Sequence, residues 1–169
     1  WDIETKFIQR DKIHPTGTVD VELTNGSPSY TIHEDVAFDF IDLDEFIVDY
    51  TIAEFDFLYF GTLAQRNEVS RSTLLQLMDD IDFPEIFFDV NLRQDFYTHE
   101  IIHVSLHKAT IFKLNDEEVE VLSDLLYDRQ MTVEEICHHL AVDFQLKVII
   151  VTKGGDGCSI YQDDILTEV

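Results

Sequence analysis

The chain is poor in cysteine, proline, glycine and, above all, cations. Its two cysteines, Cys137 and Cys158, stand far apart, too few and too distant for a disulfide framework or a paired metal site. A reducing, cytoplasmic setting is therefore expected. No apolar run approaches the ~20 residues that a membrane span needs. The opening WDIETKFIQR has neither the basic start nor the apolar middle of a signal peptide. It also lacks an initiator Met, so the native start need not be here. Only 11 Lys and Arg stand against 35 Asp and Glu, for a formal net charge of −24. A surface of that sign repels phosphate backbones and anionic lipid, which argues against nucleic acid and membrane as partners. Any phosphate ligand must be held locally, by backbone N–H groups, a few Lys or Arg, or a divalent metal. The plain reading of the acidity is solubility, in a salty cytoplasm for instance.

What is present is a chain built to fold. It has 169 residues, 45% hydrophobic, with 13 Phe and 6 Tyr, a length that fits about one domain with a real core. TGTVDVELT (16–24) and SYTIHE (29–34) alternate on either side of NGSP, as a β-hairpin with Asn25-Gly26 in the turn would. From about residue 54 the rhythm changes. FDFLYFG (55–61), EIFFDV (85–90), TIFKL (110–114) and KVIIVT (147–152) read as apolar strands. Between them, 69–81, 98–109, 116–127 and 132–144 carry helical spacing, and CSIYQ follows a GGDG turn. Strands apolar on both faces, alternating with helices, predict an α/β fold: a mostly parallel sheet covered by helices on both sides, with the hairpin as an appendage. In such sheets ligands bind at the carboxyl ends of the strands. Those ends are FGTLAQR, FDVNLR, KLNDEE and VTKGGDG, and polar residues and glycine gather at all four.

Each strand end has a structural and a functional reading. Asn115 and Glu118 have the N-x-x-E spacing of a capping box; a helix N-terminus also favours phosphate. Gly154, Gly155, Asp156 and Gly157 form a turn signal directly after VIIVT, and glycines also let backbone come close to a ligand. Asp89, Asn91 and Arg93 alternate at a strand end, so all three could face one side. Arg93 either pairs with a surface acid, worth little, or serves as a scarce cation for sugar or phosphate oxygens. Phe38 and Phe40 follow the hairpin, as core packing or as a cover for a ligand.

His99-Glu100-x-x-His103, with His107 beyond, has the spacing of a zinc peptidase. Yet no Gly-x-x-His or later Glu motif supplies a third ligand. Thr98 suits an N-cap, Glu100 suits the positive end of the helix dipole, and Ile102, Leu106 and Ala109 form a core stripe. A structural helix is expected; adventitious metal binding by the three histidines ranks above zinc hydrolysis, which is a remote alternative.

FDVNLR, KLNDEE and VTKGGDG, in that order and spacing, resemble the ribokinase-like (PfkB) carbohydrate kinases, the fructokinase branch most of all. PTGTVDVEL, PSYTIHEDVAFDFI and FGTLAQRNEVSR extend the likeness over nearly the whole chain. The resemblance implies a ribokinase-like sandwich, here incomplete, with residues 14–36 as a β lid and residues 1–13 and 37–169 as the core. It implies transfer of the γ-phosphoryl group of ATP to a sugar hydroxyl in the presence of Mg²⁺. Asn115, Glu118, Thr152, Gly154, Gly155, Asp156 and Gly157 would serve the nucleotide, with Glu118 reaching Mg²⁺ through water. Asp89, Asn91, Arg93 and Phe38 would serve the sugar or the transferred phosphate. Fructose or a related sugar is the expected substrate, and the lid could support a homodimer. The family's N-terminal glycine-rich sugar segment and its D-T-x-G-A-G-D motif, whose last Asp is the catalytic base, do not occur within these residues. The expectation is a middle segment with no catalytic residue of its own, its base lying beyond Val169, and little or no turnover alone. The alternative is a non-catalytic nucleotide- or sugar-binding α/β module.

Overall fold

The computed structural model describes residues 5, 7–24, 27–43 and 55–169; the Asn25-Gly26 turn expected for the hairpin lies outside them. The chain divides into two compact units, Trp1–Ala53 with Ala64–Ile81, and Glu54–Leu63 with Asp82–Val169.

The first unit carries the hairpin, β1 (Val19–Thr24) and β2 (Ser27–Ile32). The strands run antiparallel, with Val19 opposite Ile32 and Val21 opposite Tyr30. The two-residue pleat therefore places Val19, Val21, Leu23, Tyr30 and Ile32 on one face, and Asp20, Glu22, Ser29 and Thr31 on the other. The apolar face is open: Val21 is 55%, Leu23 74% and Tyr30 59% exposed. A two-stranded ribbon is marginal by itself, so its root matters. There Arg66 donates through Nε to Asp39 Oδ1 at 2.7 Å and through Nη2 to Asp39 Oδ2 at 2.8 Å. Nη2 also donates to the carbonyl of His33, at the end of β2. The Phe38 ring lies under the guanidinium, 4.9 Å from its centroid. Both charged side chains are buried, 4% and 2% exposed, and a bidentate geometry is what offsets the desolvation such a pair suffers. Helix α1 (Glu68–Asp80) is capped by Asn67, which accepts from Val69 N. Ser70 near its start donates to the Phe38 carbonyl at 2.8 Å and accepts from Ile41 N.

The second unit is the α/β body. Strands β3 (Phe57–Gly61), β4 (Glu85–Asp89), β5 (Ile111–Asn115) and β6 (Val148–Thr152) are parallel. Strands β7 (Cys158–Gln162) and β8 (Ile165–Glu168) add antiparallel, so the sheet order is β3-β4-β5-β6-β7-β8. Helices α2 (His99–Lys108), α3 (Asp116–Tyr127) and α4 (Val133–Phe144) fill the crossovers. The sheet is mostly parallel and flanked by helices, as the sequence implies. Within this unit, however, α2, α3 and α4 share one face instead of covering both. The parallel strands step in one direction without reversal, and right-handed crossovers then lay every connecting helix on the same side. Burial follows that geometry: Phe88, Val90, Phe112, Leu114, Ile149 and Val151 are fully buried. Most of their neighbours along the strands, among them Phe87, Ile111 and Ile150, are only part-buried. Ile102, Leu106, Leu122, Ile136 and Leu140 meet that face from the helices, each contributing about 1.5–3 kcal/mol.

Helix α2 takes the plain reading. Thr98 caps it by accepting from Ile101 N at 3.2 Å, and Ile102, Leu106 and Ala109 are buried as the core stripe. His103 and His107 present their rings edge-on to Phe144. Among the described residues no three His, Cys, Asp or Glu side chains converge as metal ligands. No helix among them is long and apolar enough to cross a membrane. Cys137 is buried, which pushes its thiol up to about 12, so it is inert.

Candidate functional site

The centre of the site is the junction of β5 with α3. Asn115 ends the strand in extended conformation and caps the helix: its Oδ1 accepts Glu118 N at 2.8 Å, and Glu118 Oε2 accepts Asn115 N at 2.8 Å. Both halves of the capping box are thus made. Glu118 does more than cap. Its other oxygen, Oε1, accepts the backbone N–H of Leu92 at 2.7 Å, tying the segment after β4 to the start of α3. Glu118 as a whole is 5% exposed, and each carboxylate oxygen retains a second acceptor direction beyond the bond it makes.

The end of β4 departs from simple alternation. Asp89 closes the strand and Asn91 sits at φ 41°, Gln94 at φ 47°. These left-handed residues turn the backbone, so Asp89, Asn91 and Arg93 do not continue along one side of a strand. Non-glycine residues in that region cost energy and cluster at functional sites. The turn carries Arg93 to α3: a cleft of about 170 Å³ is lined by Leu92, Arg93, Gln94, Tyr97, Asn115, Glu117, Glu118 and Val121. Arg93 pairs with no carboxylate among the described residues; its Nη1 reaches the Leu92 carbonyl at 3.3 Å. A larger depression of about 530 Å³ runs beside it along α3, between Tyr97, Glu120, Asp124 and Gln130. It carries no cation and lies away from the strand ends.

Asp89 itself belongs to a cluster that spacing could not reveal. It accepts the Tyr59 hydroxyl at 2.9 Å and the Lys113 ammonium at 3.0 Å, from the strands on either side. The carboxylate holds the phenol proton, raising the Tyr59 pKa. Register explains the meeting. Asp89 lies opposite Gly61 on β3 and Lys113 on β5, and Tyr59 is two residues back on the same face. At Gly61 there is no room for a side chain, since a Cβ would stand 2.9 Å from the Asp89 carbonyl.

At the end of β6, Thr152 lies opposite Asn115 and its hydroxyl donates to the Leu114 carbonyl at 3.4 Å. Gly154–Asp156 form one 3-10 turn, which joins β6 to the antiparallel β7. GGDG is therefore a hairpin connection and a strand end at once. A Cβ on Gly154 or Gly155 would meet nothing within 4 Å, so the backbone there is open to a ligand. At Gly157 (φ +90°) the Cβ would fall 2.1 Å from the Val169 carbonyl, and that glycine serves the fold. Lys153 pairs with Glu168 at 2.7 Å, and this pairing, with Ser159, pulls the Glu168 pKa down.

The structure thus brings Arg93, Asn115 and Glu118 to one cleft, and sets Thr152 beside Asn115 on the neighbouring strand. It places Asp89 in the Tyr59–Lys113 cluster and Gly154–Gly157 in the turn after β6. Phe38 lies in the first unit, packed under Arg66. Tyr59, Lys113 and Leu92 are the residues that sequence reasoning missed. A lysine two residues before a capping Asn, in a chain with 11 cations, is the one signal that pointed there.

Parallel strands whose polar ends surround a capped helix start define an α/β protein with a candidate site at its strand ends. The description "pfkB family carbohydrate kinase" matches residues 1–169, and the chain belongs to that family. The uncharacterized sugar kinase PH1459 of Pyrococcus horikoshii is 27% identical to it over 174 residues, 99% of this chain and 51% of that protein. Its crystal structure in complex with ATP superposes with a TM-score of 0.73 at 24% identity, over 95% of this chain and 50% of that one. The fructokinase of Vibrio cholerae with fructose, ADP and calcium gives 0.72 at 22% identity over 94% and 52%. That of Xylella fastidiosa with ATP gives 0.78 at 16% over 94% and 50%. These likenesses support the fold, and the chain spans about half the length of the relatives it matches.

Proposed function

We propose that this chain is part of a fructokinase-like enzyme that moves the γ-phosphoryl group of ATP to a sugar hydroxyl. The observation that carries the reading is the cleft in which Arg93 meets the Asn115–Glu118 helix start. A guanidinium with no carboxylate partner among the described residues, beside the positive end of the α3 dipole, suits a phosphate chain. The open backbone of Gly154 and Gly155, with Thr152, forms the nucleotide edge. The family likeness assigns Asp89, Asn91 and Phe38 to the sugar or the transferred phosphate, and residues 14–36 to a lid. The apolar ribbon face suits a second lid in a homodimer. Fructose is the first candidate sugar, and the cytoplasm the setting.

The donors also suit magnesium. Glu118 offers hard carboxylate oxygen with acceptor directions to spare, enough to hold a hydrated Mg²⁺ through water. Bound there, Mg²⁺ would offset the charge of the phosphates. This chain's own work is positioning: Glu118 fixes Leu92 N and the start of α3, and Arg93 orients an anion. The base and anion hole of phosphoryl transfer are not among these residues, so binding without turnover is expected of them alone. A non-catalytic nucleotide- or sugar-binding α/β module is the second reading.

Calorimetric titration of MgATP, with and without fructose, into the 169-residue chain tests the proposal. Saturable nucleotide binding that Arg93→Ala weakens at least tenfold is expected. Failure to bind nucleotide overturns the reading, and sugar phosphorylation by these residues overturns the expectation of no turnover.

A further inference from the structure

The nucleotide reading leaves an electrostatic problem at the cleft. If every one of the 11 Lys and Arg neutralised one acid, 35 − 11 = 24 carboxylates would still be uncompensated. The deficit is local as well as global. The strand ends carry three cations, Arg93, Lys113 and Lys153. Two of these are already engaged, Lys113 by Asp89 at 3.0 Å and Lys153 by Glu168 at 2.7 Å. Around them stand those two acids, the first turn of α3 with Asp116, Glu117 and Glu118, and Asp156 in the turn after β6. Six carboxylates face three cations where a polyanion should bind.

We infer that monovalent salt opens this cleft: nucleotide affinity rises with ionic strength, the reverse of an ordinary phosphate site. The inference rests on the nucleotide reading above. A cleft of basic residues attracts phosphate at long range, and salt weakens that attraction. Here the long-range field is repulsive, and the attraction is confined to contact: the Arg93 guanidinium and the open backbone of Gly154 and Gly155. Salt acts unequally on the two. The screening length shrinks from ~10 Å at 0.1 M to ~3 Å at 1 M. Repulsion from carboxylates several ångströms away is removed, whereas hydrogen bonds at contact largely survive. The same screening relieves repulsion across the folded chain, so binding must be separated from folding. Trimethylamine oxide does this, favouring the compact state without adding ions.

The test is titration of MgADP into the full chain from about 0.1 to 2 M KCl, with circular dichroism at each point and trimethylamine oxide present throughout. Affinity at least about tenfold higher at the top of the range is expected. The double variant Asp116→Asn, Glu117→Gln should bind more tightly than the parent at low salt and respond less to KCl. Affinity that is flat or falls with KCl in a folded chain overturns the inference and leaves the nucleotide reading intact. No binding at any salt concentration overturns that reading and the inference with it.

Discussion

Helices α3 and α4 begin with the same device and use it differently. Asn115 and Glu118 close one capping box; Thr132 and Glu135 close the other, with Glu135 Oε2 accepting Thr132 N at 2.8 Å and Glu135 N donating to Thr132 Oγ1 at 3.2 Å. At α4 the carboxylate serves only its own helix start and stays exposed. At α3 it is buried and spends its second oxygen on Leu92 N, 26 residues away in sequence. One motif thus gives a local stop in one place and a tie between two strand ends in the other. What separates them is the strand that precedes α3: β5 delivers its cap into the row of strand ends, beside the turn after β4.

The largest way to break the comparison is Glu118→Ala. It leaves Leu92 N and Asn115 N without acceptors, and two such losses should cost about 2–4 kcal/mol. Urea unfolding measures this; a cost no greater than that of Glu135→Ala would erase the distinction. Next come the caps themselves. Asn115→Ala and Thr132→Ala should each cost about 1 kcal/mol, yet only Asn115→Ala should also weaken MgATP binding. Equal binding by both variants would reduce Asn115 to a cap. The smallest effect is in acid. The backbone N–H of Thr132 and then its hydroxyl hold the Glu135 pKa below its ordinary 4.5. A depressed folded value means that its contribution is complete above pH 4.5 and lost as pH falls below it. Glu135→Gln should therefore flatten the acid limb of melting temperature against pH, and an unchanged limb would refute the assignment.

Much of the body was legible because its signals are local. The helix at 116–127 falls where the sequence places it, with Asn115 as its cap. Thr132 caps the next, and the apolar strands sit within a residue or two of their expected bounds. Strand β8 was not foreseen: ILTE is short and largely exposed, and its hairpin relies on Asp163 and Asp164, both at positive φ, in place of glycine. The placement of α2, α3 and α4 on one face depends on strand order, which periodicity does not encode. At the site, Asn115, Glu118 and Arg93 could be singled out by type and spacing. The bond from Glu118 to Leu92 and the meeting of Tyr59, Asp89 and Lys113 could not, since each depends on the register of neighbouring strands. The left-handed turn at Asn91 was invisible for a related reason: DVNL reads as continued strand until the backbone is seen to leave it.

The GGDG turn also sets how freely this edge of the molecule could drift or be redesigned. Its last glycine answers to the chain's final residue: Cys158 N donates to the Val169 carbonyl at 3.0 Å and Val169 N returns the bond at 2.8 Å. That closure leaves no volume at position 157. In a library randomised over these four positions, selection for folding alone would fix glycine at 157 for want of space and favour it at 154 for its backbone handedness. Position 155, with open space around it and no special φ, would vary until a ligand was demanded of the turn.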